Sequence, residues 1–178
     1  MELRDGDICL ERFHPEYVSE RYVGWLNDPA VMGQTETRDG GHTMDSARVY
    51  VADSLSDDRC RLWRIVHDEI GHVGNMRLSD IIPFHRRADT AVIIGERQMW
   101  GQNIASRAIT LATSYAFGEL DLLKLTAGML ATNKGSIRAF EKAGFSVEAR
   151  RPLHYRLEDI WVDGVFMGKL SETAVKHA

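Results

Sequence analysis

Along this chain the spacing of apolar and polar residues changes several times, and each change marks an element. "DICLERF" (Asp7–Phe13) reads as a first strand. "HPEYVSERYVGWLNDP" reads as a helix, with Pro15 near its first turn and Asp28-Pro29 stopping it. "TMDSARVYVADSL" predicts a second helix, N-capped by Thr43 and turning Val49, Ala52 and Leu55 inward. The period then shortens. "RLWRIVHDEIGHVGNMRLSDI" reads as two strands around a hairpin turn at Asp68–Gly71. "TAVIIGE" (Thr90–Glu96) is apolar enough for a strand buried on both faces. After it comes a short polar loop, "RQMWGQN", and a helix to about Glu119 with the stripe Ile104, Ala108, Leu111, Ala112 and Tyr115.

"LLKLTAGML" (Leu122–Leu130) predicts another buried strand. "NKGSIRAFEKAGF" predicts a helix capped by Asn133, facing Ile137, Phe140 and Ala143 inward and ended by Gly144. The tail "VEARRPLHYRLEDIWVDGVFMGKLS" reads as strands joined by an Asp163-Gly164 hairpin turn. No linker or repeat interrupts this order, which predicts one mixed α/β domain. The hairpins make part of its sheet antiparallel, and the strand–helix–strand through 90–130 makes part of it parallel.

Composition narrows the function classes. A chain of 178 residues with formal net charge −4 has no basic face of the kind a phosphate backbone needs, so nucleic acid is not an expected partner. The start "MELRDGDICLERF" is charged from its second residue and predicts no secretory signal. No apolar run approaches the roughly 20 residues of a membrane span. Cys9 and Cys60 lie far apart without metal-type spacing, which predicts reduced thiols and a cytoplasmic protein. His72, His85 and His154 are scattered, and no metal is implied.

The joint at "QMWGQNIASRAI" (residues 98–109) carries the first chemistry. A Gly in a loop that runs straight into a helix leaves the N–H groups of residues 101–106 without helical acceptors, in a place where the helix dipole favours an anion. Gly101 lets the backbone approach a ligand without a Cβ in the way. By spacing alone the same stretch also fits an ordinary helix start. GxxxxGK[ST] and GxGxxG are both absent, so an ATPase or dinucleotide fold is not supported.

"TNKGSIRAFEKAGF" lies one helix and one strand further on, and the two stretches together resemble the GNAT superfamily of acyl-CoA-dependent N-acetyltransferases. Its phosphate loop has the form Gln/Arg-x-x-Gly-x-Gly/Ala, matched by Gln98 to Asn103 with Gly101 in place. "WLNDPAV", "IGHVGNMRL", "HRRA", "LTAG" and "GSIRAFEKAGF" are similar to the branch that acetylates ribosomal proteins, polyamines and nucleotide sugars. The match runs from about Glu11 to Leu170. The resemblance implies a mixed, mostly antiparallel sheet of about 6–7 strands with a splayed parallel pair, flanked by about 4 helices.

The resemblance also implies a site. Acetyl-CoA would lay its pyrophosphate on the N–H groups of Trp100, Gly101, Gln102, Asn103, Ile104 and Ala105, beside Gln98, and its pantetheine on the strand edge at Ile93, Ile94 and Gly95. Asn133 and Ser136 match positions that reach pantetheine and thiol, and Phe140 stands where many members carry Tyr. Ser136 is then the remaining hydroxyl for the thiolate, and Asp89 lies near where relatives carry an acidic residue for the amine. Glu36, Arg38 and His85 match the acceptor side. Acetyl transfer to a primary amine is implied, of a nucleotide-linked amino sugar or a protein N-terminus, and a homodimer fits the C-terminal hairpin. The alternative is an acyl-CoA-binding module without turnover, favoured by Phe140 and by Asn103, where the family has Gly or Ala.

Overall fold

Strand-forming runs and helical stripes settle into a single sheet with helices against it, in a computed structural model that describes residues 3–35 and 40–175. The strands are β1 (Leu3–Asp5), β2 (Ile8–Arg12), β3 (Arg61–His67), β4 (Gly71–Ile82), β5 (Arg87–Ile94), β6 (Lys124–Leu130), β7 (Ser146–Leu157) and β8 (Ile160–Leu170). They lie in the order β1-β2-β3-β4-β5-β6-β8-β7. Every neighbouring pair is antiparallel except β5 and β6. The helices are α1 (Glu20–Asn27), α2 (Pro29–Met32), α3 (Met44–Ser56), α4 (Ile104–Gly118), α5 (Lys134–Lys142) and α6 (Glu172–Val175). None is long and apolar enough to cross a membrane.

Alternation along the strands divides the interior into two clusters. Trp63 and Ile65 of β3 join Met76, Ile109, Ala112, Leu125 and Phe140 in the larger cluster, under α4 and α5. Leu62 points the other way, into a smaller cluster with Phe13, Tyr22, Trp25, Val51 and Cys60 under α1–α3. A fully buried side chain such as Ile109 contributes about 1.5–3 kcal/mol relative to exposure.

The sheet parts in the middle. β5 and β6 pair only at Arg87↔Lys124, Ala88↔Leu125 and Asp89↔Thr126. Beyond that point β5 stays with β4 as far as Ile94, while β6 stays with β8 as far as Leu130. The two halves therefore diverge because each strand follows its antiparallel neighbour. This is the splayed parallel pair that the resemblance implies.

Several local expectations change. The first helix begins later, because Pro15–Tyr17 forms one 3-10 turn and Ser19 caps α1 by accepting from Tyr22 N. Pro29 opens α2 instead of ending α1, since its missing N–H costs nothing at a helix start and Asp28 caps Ala30 N. Helix α3 buries Ala47, Val51 and Ser54, leaving Val49 and Ala52 exposed and Leu55 half-buried. Its small and polar residues leave the apolar period weak, and the aromatic cluster beneath it sets the phase. Strand β5 is only half-covered at Val92–Ile94, since it borders the parting. The last hairpin turns at Glu158-Asp159, where Glu158 takes a left-handed φ of +54°. Asp163-Gly164 lies inside β8 opposite an irregular stretch of β7: Asp163 accepts from Leu153 N, and Phe166, His154 and Tyr155 crowd the space where a Gly164 side chain would stand.

Candidate active site

The parting of β5 from β6 opens a crevice of about 560 Å³ that runs between the two faces of the sheet. Val92, Ile93 and Ile94 form one wall, the 99–106 loop and first turn of α4 the floor, and α5 the other wall from Asn133 to Lys142. Ala30, Val31, Gln34 and Thr35 close it on the α2 side.

The wall carries unpaired backbone groups. Gly95 N donates to Val73 O, and the Ile93 carbonyl faces Gly74 on β4. By alternation, Val92 and Ile94 turn their N–H and C=O toward the missing neighbour. Of Ile93, Ile94 and Gly95, only Ile94 offers its backbone to the crevice, and Val92 is the further residue on that edge. The Ile94 carbonyl already accepts from the Trp100 indole N–H at 2.8 Å. Gly95 instead makes room for a ring, since a Cβ there would come within 2.0 Å of Trp25. Trp25 in turn packs edge-on against His72 at 5.0 Å, beside Phe13 and Tyr22. Burial in this aromatic box pushes the His72 imidazole down to about 4, so it stays neutral.

At the floor, Met99 anchors the loop in the core, while Gly101 and Asn103 both adopt left-handed backbone, at φ +78° and +62°. The first intrahelical bond of α4 runs from Arg107 N to Asn103 O at 3.1 Å. Among the described residues, the N–H groups of residues 101–106 meet no acceptor. The helix start is therefore open to an anion, and the Asn103 side chain does not cap it. Gln98 and Gln102 stand outside the crevice, where Gln102 Nε2 donates to the Gln98 carbonyl at 2.8 Å.

On the far wall, Asn133 Oδ1 accepts from Ser136 N at 3.1 Å, and Asn133 Nδ2 donates to the Gln34 carbonyl. One Asn thus caps α5 and ties it to the α2 side. The Ser136 hydroxyl has no partner among the described residues and faces the crevice. Arg138 and Lys142 line the same wall one helical turn apart. A second cavity of about 370 Å³ adjoins it, lined by Pro29, Gly33, Gln34 and the Leu157–Ile160 turn with Glu158 and Asp159. Gln34 belongs to both.

Other expected site residues lie elsewhere. Asp89 sits at the root of the parting, about 16 Å along the strand from Ile94, and accepts from the Thr126 hydroxyl. It does not line the crevice. Because β5 starts at Arg87, its acidic residue falls where the strands still pair. His85 occupies the exposed Pro83–His85 turn at the opposite end of β5 from the loop. Phe140 is 2% exposed, with its ring edge-on to Phe145 at 5.0 Å. It supports α5 from the core and does not touch the crevice. Glu36 and Arg38 lie outside the described residues. Val92, Gln34, Arg138 and Lys142 are crevice residues that the sequence motifs do not single out. The strand period signals Val92, and the i, i+4 spacing of Arg138 and Lys142 puts the two cations on one face of α5.

Residues 7–146 match the Acetyltransferase (GNAT) domain family. The chain belongs to that family. A probable N-acetyltransferase of Bacillus subtilis (strain 168), YjcK, is 32% identical over 111 residues, covering 56% of this chain and 61% of the relative. The spermidine N(1)-acetyltransferase of Escherichia coli (strain K12) is 30% identical over 104 residues, covering 58% of this chain and 53% of the relative. The chain thus spans between half and two thirds of the length of these relatives. In fold it is similar to the spermidine N-acetyltransferase from Vibrio cholerae solved with CoA and spermine. That likeness has a TM-score of 0.86 at 18% identity and covers 96% of this chain and 99% of the other.

Within this GNAT chain the Asn103 position is left-handed, a conformation that Gly takes freely and Asn tolerates better than most residues. The substitution leaves the N–H groups of the loop open.

Proposed function

We propose that this chain transfers the acetyl group of acetyl-CoA to a primary amine. The observation that carries the reading is the pairing of two unsatisfied backbone edges in one crevice. The N–H groups of residues 101–106 suit a diphosphate, and the free edge of β5 at Val92 and Ile94 suits the amides of a pantetheine arm. A flexible amide chain would lie along β5 as an added strand, displacing the Trp100 indole from the Ile94 carbonyl. Its thioester would then reach the α5 wall near Ser136.

In the transfer, the amine nitrogen bonds to the thioester carbonyl carbon and the C–S bond breaks. The nitrogen loses a proton and the sulfur gains one. Ser136, which lines the crevice, would donate to that thiolate, whereas buried Phe140 has no acidic proton to give. Asp89 does not line the crevice, so a role for it in taking up the amine proton would run through water.

The acceptor enters from the α2 side. The second cavity joins the crevice at Gln34 and carries Glu158 and Asp159 on its rim, which favours a cationic amine over a phosphorylated one. A nucleotide-linked sugar draws no support from "HRRA", because Arg86 is held by Asp121 and His85 lies in the turn at the far end of β5, outside the crevice lining. The test is titration with acetyl-CoA, CoA and ATP, then thiol release with polyamines, amino sugars and peptides bearing free N-termini. Binding of the CoA compounds but not ATP, with thiol release for one amine class, is the expected result. Binding without release from any amine would leave an acyl-CoA-binding module.

A further inference from the structure

Asn is a strong helix N-cap because its side-chain oxygen accepts from the N–H groups of the first turn. Asn103 stands at the N-cap of α4 and does not do this. Its Oδ1 instead accepts from Lys142 Nζ, on the last turn of α5 across the mouth of the crevice. The consequences are two. The first-turn N–H groups stay free, and an ammonium is held beside them at a fixed place. An ammonium has three donors, so two remain after the bond to Asn103. Arg138, one turn earlier on the same wall, has no ion-pair partner among the described residues. In a chain of net charge −4, the crevice mouth therefore gathers two cations and a set of unpaired N–H groups.

We propose that Asn103 and Lys142 form a strap that positions the Lys142 ammonium as a phosphate-binding group at the mouth of the crevice. The inference rests on the acyl-CoA reading and deepens it. Asn103 is then a positioning residue, turned away from capping to hold a charge. Lys142 adds a charge-assisted donor to the anion recognition of the backbone N–H groups. A charge-assisted hydrogen bond to phosphate is roughly twice as strong as a neutral one, which sets the expected effect.

The test measures affinities of the wild type, Lys142→Met, Lys142→Arg, Asn103→Gly and the double variant Asn103→Gly/Lys142→Met. The ligands are CoA, 3′-dephospho-CoA and S-acetylpantetheine, which lacks phosphate. Lys142→Met should bind CoA about tenfold more weakly, with a shallower dependence on salt and unchanged affinity for S-acetylpantetheine. Lys142→Arg should retain most of the affinity. Asn103→Gly should lose part of the same tenfold, and the double variant no more than Lys142→Met alone. An equal loss with 3′-dephospho-CoA assigns the diphosphate as the partner, and a loss confined to CoA assigns the 3′-phosphate. Wild-type affinity for CoA in Lys142→Met would overturn the strap, as would equal losses for CoA and S-acetylpantetheine. A wild type that binds no CoA would overturn the acyl-CoA reading itself.

Discussion

Gly95 directly follows the free edge of β5 and gives room to the Trp25 ring. A Gly95→Ala Cβ would stand 2.0 Å from that ring and must displace it. Overpacking of this kind costs about 1–3 kcal/mol, to be read as a lower urea midpoint with unchanged slope. Gly101 differs, since its Cβ would meet open space and only the φ of +78° opposes a side chain. Gly101→Ala should therefore lose about 1 kcal/mol through backbone strain. His72 makes the third residue-scale case. Its imidazole titrates near 4 in the fold and near 6.5 when unfolded, so the unfolded chain binds the extra proton between those values. Stability is complete above pH 6.5 and falls as the pH drops, by about 1.4 kcal/mol per pH unit until the folded group titrates. Urea unfolding at about pH 7 and about pH 5.5, on either side of the unfolded value, should show this loss in the wild type and a smaller one in His72→Gln.

Elements place the chemistry, and α5 shows how. Its N-cap Asn133 ties the helix start to Gln34, its first turn presents Ser136, and its last turn carries Lys142. Ser136→Ala should lower kcat while leaving the affinity for acetyl-CoA close to wild type, because the cap uses the Ser136 N–H and not its hydroxyl. An unchanged kcat would leave Ser136 a wall residue. At the other end, Lys169 Nζ donates to the Ala143 carbonyl at 2.7 Å, which satisfies an orphan group of the helix terminus. Burial holds the Lys169 ammonium below its ordinary pKa. The helix is legible from its caps, since "NKGSIRAFEKAGF" carries both ends in the right order. The Asp163-Gly164 pair misleads for the opposite reason. The same dipeptide serves a tight turn or an irregular strand, and only the aromatic side chains packed around Gly164 decide which.

At the scale of the molecule, alternation and caps predict the order of elements, and the parallel pair follows from the strand–helix–strand between 90 and 130. The length of the β5–β6 contact cannot be read that way. It depends on competition between β4 and β8 for the two strands, and partners far along the chain leave no local period. The position of Asp89 at the start of the strand is legible in the sequence, but that the strands still pair there is not. Three residue pairs join the halves of the sheet, and the crevice begins where they stop. A ligand that bonds β5 along this gap adds to the fold as well as to the site. Saturation at about a hundred times its dissociation constant should add about 2.7 kcal/mol to stability, visible as a Tm that rises with acetyl-CoA concentration.

That parting bears on the protein's lifetime in a cell. On the acyl-CoA reading, a fold that acetyl-CoA completes would be opened, and cut by proteases, most often when acetyl-CoA is scarce. The abundance of this chain would then track the supply of activated acetyl groups without any separate sensor.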